Sequence, residues 1–225
     1  MDIGILGAGA MGQLFGARLQ LAGNTVAFID AAPATNAALN HGGITLTTGG
    51  RRKHTAVRTG AAADFDEPFD LIIVFTKGFH TAAALESVRH LTGPRTHGLT
   101  LQNGLGNGEV LAGHFGPDRT WVGVTGFPAG LERPGVLPTS ADGKVRLGPF
   151  RAGPRPFARQ LADLLSAAGL NADVPPDIQA AIWEKAAFNA ALNSISAVTG
   201  QTVGAIGASS QGRELVRSIL GETAA

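Results

Sequence analysis

In the stretch IWEKAAFNAALNSISAVTG, Ile182 to Gly200, one lysine and two asparagines recur at steps of four: Lys185, Asn189 and Asn193. Four residues advance a helix by about 400°, so the three form a single, slowly drifting stripe. Two readings stand. One is the wet face of an amphipathic helix. The other is a row of donors aimed at a polar ligand. Neither amide is favoured inside a helix, and a wet face usually carries several charges where this stripe carries one. If the stripe is buried, each unpaired group costs about 1–3 kcal/mol, a cost that a bound polar ligand would remove.

A second set of residues lies at the N-terminus. DIGILGAGAMGQLFG holds Gly7, Ala8, Gly9, Ala10, Met11 and Gly12 in a GxGxxG pattern, with an apolar run before it and helical spacing after it. Gly7 permits a tight turn. Gly9 lets a pyrophosphate approach the backbone. Gly12 lets the helix sit close to the strand, and the helix N-terminus offers free N–H groups to the phosphates. Asp30 closes the next β-rich run, roughly 20 residues on, where a carboxylate can hold the adenine ribose hydroxyls. Such a carboxylate repels a 2′-phosphate, and Ala31 and Ala32 follow in place of an arginine, which argues for NAD(H). The alternative for Asp30 is a plain cap on the following helix.

Two further polar stations follow apolar strands. Lys77 in FTKGFHT stands just past Leu71–Phe75, where open α/β sheets place their ligands. A lysine there can hold a phosphate, a carboxylate or an amide; it can also be a solvated loop residue. Asn103 in LQNGLGNGE can set an amide beside ribose or nicotinamide, or simply form an Asn-Gly turn. The six histidines show no metal-ligand spacing, there is no cysteine, and no G-x-S-x-G element is present.

These stations need elements to position them. Asp2–Leu6, Met11–Ala22 and Thr25–Ile29 read as a β-α-β unit, with Gly23-Asn24 ending the helix. Ile44–Thr48 and His54–Arg58 read as a hairpin, with Arg51-Arg52-Lys53 at its solvated tip. Leu71–Phe75 is a continuous apolar run, as expected of a strand buried on both faces. Ala82–Leu91 and Phe157–Ala168 read as helices; Leu99–Gln102, Trp121–Thr125 and Val145–Leu147 read as strands. Pro175-Pro176 cannot continue either element, and everything after them is helical: Ile178–Val198, then Gln211–Leu220, with Ser209-Ser210 as a cap. The expected architecture is therefore a Rossmann-type parallel-sheet α/β domain over 1–174 and an all-helical domain over 175–225.

Composition narrows the classes. With 44% hydrophobic and 16% charged residues in 225, the chain is globular and not disordered. A net charge of +1 gives no electrostatic case for a nucleic-acid partner. No apolar run is long enough for a membrane helix, and a cytoplasmic protein is the expectation.

Together, GAGAMG at Gly7–Gly12, the lysine-then-threonine of KGFHT, the Asn-Gly of LQNGLGN and WEKAAFNAALN at Trp183–Asn193 resemble the ketopantoate reductase (2-dehydropantoate 2-reductase) family. The resemblance runs from residue 1 to about Val198. It implies a reductase of 2-keto acids, with Lys185 as general acid and Asn189 and Asn193 on substrate hydroxyl or carboxylate groups. It places Lys77 and Asn103 on the nicotinamide and ribose side of the cleft, facing a small-molecule 2-keto acid. The family usually favours NADP(H) through an arginine near the end of the second strand, an expectation that Asp30 and Ala31 oppose in favour of NAD(H). Family members also usually carry a longer helical domain, with a serine and a glutamate on the substrate. A shortened helical domain here would expose apolar surface and favour association, such as a homodimer. Alternative expectations are a dinucleotide-binding protein without turnover, or a reductase of another 2-keto acid.

Overall fold

The computed structural model describes residues 1–139, 142–151 and 156–224. Among them, one eight-stranded sheet forms the centre. Its strands are β1 (Asp2–Leu6), β2 (Thr25–Ile29), β5 (Arg58–Gly60), β6 (Leu71–Val74), β7 (His97–Thr100), β8 (Thr120–Thr125), β10 (Val145–Pro149) and β11 (Ala172–Asp173). A smaller sheet holds β3 (Ile44–Thr48), β4 (Arg51–Thr55) and β9 (Val136–Pro138). The helices are α1 (Ala10–Leu21), α2 (Pro33–Gly42), α3 (Thr81–Ser87), α4 (Asn107–Phe115), α5 (Pro156–Ala167), α6 (Ile178–Thr199), α7 (Val203–Ala208) and α8 (Ser210–Ala224).

The large sheet runs β11-β10-β8-β7-β6-β1-β2-β5. From β5 to β8 every pairing is parallel; β10 turns antiparallel against β8, and β11 runs parallel to β10. This is the doubly wound Rossmann order, with the crossover reversing between β1 and β6. Its central strands are buried on both faces, so side-chain alternation divides the core in two. Leu71 and Ile73 of β6 join Ile3 and Ile5 in a cluster with Leu14, Phe15 and Leu19 of α1 and Leu161 and Leu165 of α5. Ile72 and Val74 face the other way, onto Leu85 of α3 and Leu111 and Phe115 of α4. Beyond α4 that second face is covered by α6: Ile178 and Ala181 pack on Val122 and Val124 of β8.

Two expectations need correction. The hairpin pairs Ile44–Thr48 with Arg51–Thr55 rather than with His54–Arg58. Its tip is Gly49-Gly50, both at positive φ. Two glycines suffice to close the turn, which leaves Arg51, Arg52 and Lys53 exposed on the strand itself and not at its tip. The helices α2, α4 and α7 have no bounds of their own in the sequence pattern. Their sequences are rich in Gly, Ala and Asn, which blurs helical periodicity.

Candidate active site

Because β2, β1, β6, β7 and β8 are parallel neighbours, their carboxyl ends share one edge of the sheet, about 19 Å from first to last at the usual strand spacing. The sequence stations fall along that edge in spatial order. Asp30 follows β2, Gly7 to Gly12 follow β1, Lys77 stands three residues past β6, and Asn103 three past β7. Thr125 ends β8, and its carbonyl accepts a hydrogen bond from the Lys185 Nζ on α6.

The glycine loop is shaped by the protein at two positions and left open at the third. Gly7 has φ +101°, and a Cβ on it would lie 2.8 Å from the Thr76 nitrogen. A Cβ on Gly12 would lie 2.0 Å from the Gly7 carbonyl oxygen. No protein atom comes within 4 Å of the Cβ position of Gly9, the N-cap of α1. The first turn of α1 has neither a side-chain cap nor a carboxylate, so its positive end faces open space. An anion fits there on the chain's own geometry.

Asp30 braces this loop. Its Oδ2 accepts the Ala8 N–H at 2.7 Å and its Oδ1 accepts the Ala32 N–H at 2.8 Å, just ahead of α2. A carboxylate has about four acceptor positions, so two remain for hydroxyl donors. Asp30 thus ends β2 and binds the backbone on either side of it, while the N-cap of α2 is Ala32. Gln13, fully buried, ties the same loop to the small sheet: its Nε2 donates to the Ala8 carbonyl at 2.7 Å and its Oε1 accepts the Gly135 N–H at 2.9 Å.

On the other side of the edge, Lys185 and Asn103 line one cavity of about 140 Å³, between the start of α4, β8 and the first turns of α6. Thr100, Gln102 and Trp183 share its wall. Lys185 is half-buried, and that burial holds its ammonium below the ordinary lysine range. One of its three N–H groups is spent on Thr125 and two remain for a ligand. Asp177 starts α6 by accepting the Gln179 and Ala180 N–H groups, which seats Lys185 two turns in.

The other expected residues are more dispersed. Asn189 is half-buried and Asn193 exposed; neither lines this cavity, so the stripe runs outward from a walled lysine to an open asparagine. Burial of the whole stripe does not hold, because α6 is packed against the sheet only near its start. Lys77 is exposed on the loop beside the cavity. Sequence reading passed over Gln102, whose side chain bonds Thr76 and Thr81, and over Gln13. The signal for Gln13 was a lone amide inside a run of small and apolar residues directly after the glycines; for Gln102 it was an amide at the end of an apolar strand.

Known proteins share this arrangement. Residues 3–152 match the family Ketopantoate reductase PanE/ApbA, and residues 177–225 match Ketopantoate reductase PanE/ApbA C terminal. The chain is 32% identical over 227 residues to a 2-dehydropantoate 2-reductase of Lactococcus lactis subsp. lactis (strain IL1403), covering 100% of this chain and 73% of that protein. A D-mandelate dehydrogenase solved with NADH and anilino(oxo)acetate superposes with a TM-score of 0.93 at 30% identity, over 99% of this chain and 72% of that one. The 2-dehydropantoate 2-reductase of Geobacter metallireducens GS-15 gives 0.91 at 32% identity, over 99% of this chain and 74% of that one. With the match spanning both the sheet and the helices that meet at its carboxyl edge, the chain belongs to the ketopantoate reductase family.

Proposed function

We propose that the chain reduces a 2-keto acid at the expense of a reduced nicotinamide dinucleotide, with 2-dehydropantoate as the leading substrate and pantoate as product. The observation that carries this reading is the single edge on which an open, positively polarised glycine loop and a half-buried lysine are laid out in series. The named activities of the relatives support it. Gly7, Ala8, Gly9, Ala10, Met11 and Gly12 would hold the pyrophosphate, Asp30 the adenine ribose, and Lys77 and Asn103 the ribose and nicotinamide side. When bound, the reduced nicotinamide supplies a hydride to the carbonyl carbon.

The chain's own residues handle the rest. Negative charge grows on the carbonyl oxygen as the carbon is reduced. Lys185 stabilises that charge and donates a proton to the oxygen, leaving its amine neutral until solvent reprotonates it. Desolvation favours this transfer, because an ammonium whose pKa is lowered gives up its proton more readily. Asn189 and Asn193 would hold substrate hydroxyl or carboxylate groups. Because both lie outside the walled cavity, this assignment requires the substrate to reach along α6.

Asp30 supports NADH over NADPH, since a 2′-phosphate would sit against a carboxylate already fixed by two backbone donors. The likeness to a D-mandelate dehydrogenase solved with NADH favours a second reading, a 2-keto acid with a bulkier apolar substituent. The apolar side chains exposed on α6, α7 and α8 support self-association as a homodimer.

The test is a fluorescence titration of NADH and NADPH, followed by addition of 2-dehydropantoate or an aryl 2-keto acid. The expected result is tighter NADH binding and oxidation on keto acid addition. Asp30→Ala should move the preference toward NADPH. Folded protein that binds a dinucleotide but oxidises it with neither keto acid would leave a binding protein without turnover.

A further inference from the structure

We propose that Gln102 is a positioning residue that locks the Lys77 loop to the Asn103 loop and so sets the spacing of the nicotinamide side of the site. This rests on the functional reading above and extends it to a residue with no role in that reading.

The backbone ladder between β6 and β7 has Val74↔Thr100 as its last register. Past it, both chains leave the sheet and enter loops where Lys77 and Asn103 are exposed. A side chain takes over where the ladder stops. Gln102 Nε2 donates to the Thr76 carbonyl at 2.6 Å and to the Thr81 Oγ1 at 2.9 Å. Its Oε1 accepts from the Thr100 Oγ1 at 2.9 Å. Thr81 is fully buried at the start of α3, and its hydroxyl also lies 3.2 Å from that of Thr76. Gln102 thus supplies one more rung, made of side-chain atoms.

The placement of that rung matters. Thr76 directly precedes Lys77, and Gln102 directly precedes Asn103. Thr76 is also the residue against which Gly7 is stacked, so the rung reaches the glycine loop through the backbone. One amide thus ties the ends of β6 and β7, and the end of β1 packs against the Thr76 backbone that it holds. Gln102 lines the cavity shared by Asn103 and Lys185, yet both its N–H donors already point into the protein. It therefore acts on a ligand through its neighbours. A misplacement of about 1 Å at such neighbours costs on the order of 100-fold in rate.

The experiment uses Gln102→Met, which keeps length and removes the hydrogen bonds, in a double-mutant cycle with Asn103→Ala. Both NADH affinity and kcat/KM for the keto acid are read. We expect Gln102→Met to lower kcat/KM by about 10–100-fold and to weaken NADH severalfold. In the Asn103→Ala background the same substitution should cost clearly less than in the parent, because part of its effect passes through Asn103. Fully multiplicative losses, or kcat/KM within twofold of the parent, would overturn the role. If Gln102→Met does not fold, Thr81→Val removes one partner from the other side and should lose activity in the same cycle. Thr81→Ser, which restores the hydroxyl, should recover most of that loss, and failure to recover it counts against the proposal. A parent protein that binds NADH but oxidises none would overturn the reductase reading alone. The cycle on NADH affinity then still decides the role of Gln102, with an unchanged affinity refuting it.

Discussion

The two ends of α6 behave as different environments. Near its start, Ile178 and Ala181 are buried on Val122 and Val124, and Lys185 is held to the β8 backbone. Farther along, Ala191 and Ile195 are still buried, but Phe188 is 53% exposed and Val198 87% exposed, and among the described residues α8 has no buried side chain. The sheet, by contrast, buries every residue of β6 and packs both of its faces. The proposed acid, Lys185, thus sits where the helix borrows rigidity from the sheet. A lysine at a packed position has a fixed direction and a lowered pKa; an asparagine two turns on has neither burial nor a wall.

That contrast can be broken by substitution. The largest effect is expected from Lys185→Ala: kcat should fall by about 10²–10⁴-fold, as for loss of a general acid, with NADH affinity nearly unchanged. Retained turnover would remove Lys185 from the chemistry. In the parent protein the acid must be charged, so kcat/KM should be high at neutral pH and fall as pH rises. The break should lie below the ordinary lysine value of about 10.4, because burial lowers the pKa. A profile flat up to that value would contradict the assignment.

Next in size is the packing difference itself. Ile178→Ala should destabilise by about 2–5 kcal/mol, the cost of deleting a large core side chain. Leu215→Ala on α8, where the side chain is 48% exposed, should stay within about 0.5 kcal/mol. Equal losses in denaturant melts would show that the helical segment is anchored along its whole length.

The glycine loop sharpens the comparison within the sheet region. Gly12→Ala drives a methyl group into the Gly7 carbonyl and should lower the melting temperature and abolish NADH binding together. Gly9→Ala meets no protein atom, so stability should hold while NADH affinity falls by about tenfold or more, because the methyl group stands where the pyrophosphate approaches the backbone. A Gly9→Ala protein with parental affinity would mean that no ligand approaches there.

The smallest effect concerns His97, stacked on Phe157 at 3.7 Å and accepting from the Trp121 Nε1. Burial, then the Arg119 charge, lowers its pKa. The unfolded chain therefore takes up the proton first on acidification, and stability should decline as pH drops below about 6.5. His97→Gln should flatten part of that decline in thermal melts; an unchanged slope would assign it to other groups such as His114, whose pKa burial also lowers.

Much of the candidate site was legible because its signals are local. A GxGxxG between a strand and a helix, a carboxylate closing the next strand, and a lysine stripe at helical period each depend on residues a few positions apart. The class of fold followed from the same periodicities. What sequence could not state was which loops become neighbours. Lys77 and Asn103 are 26 positions apart, and Thr125 and Lys185 are 60 apart. Their proximity depends on β6 lying between β1 and β7, and on α6 covering the face of β8 that carries Val122 and Val124. Strand order and face are long-range choices settled by burying the whole core at once, and no local spacing encodes them. The same reason hid Gln102, whose partners come from a neighbouring strand end, and it decided that Lys185 alone in its stripe is walled while Asn193 faces water.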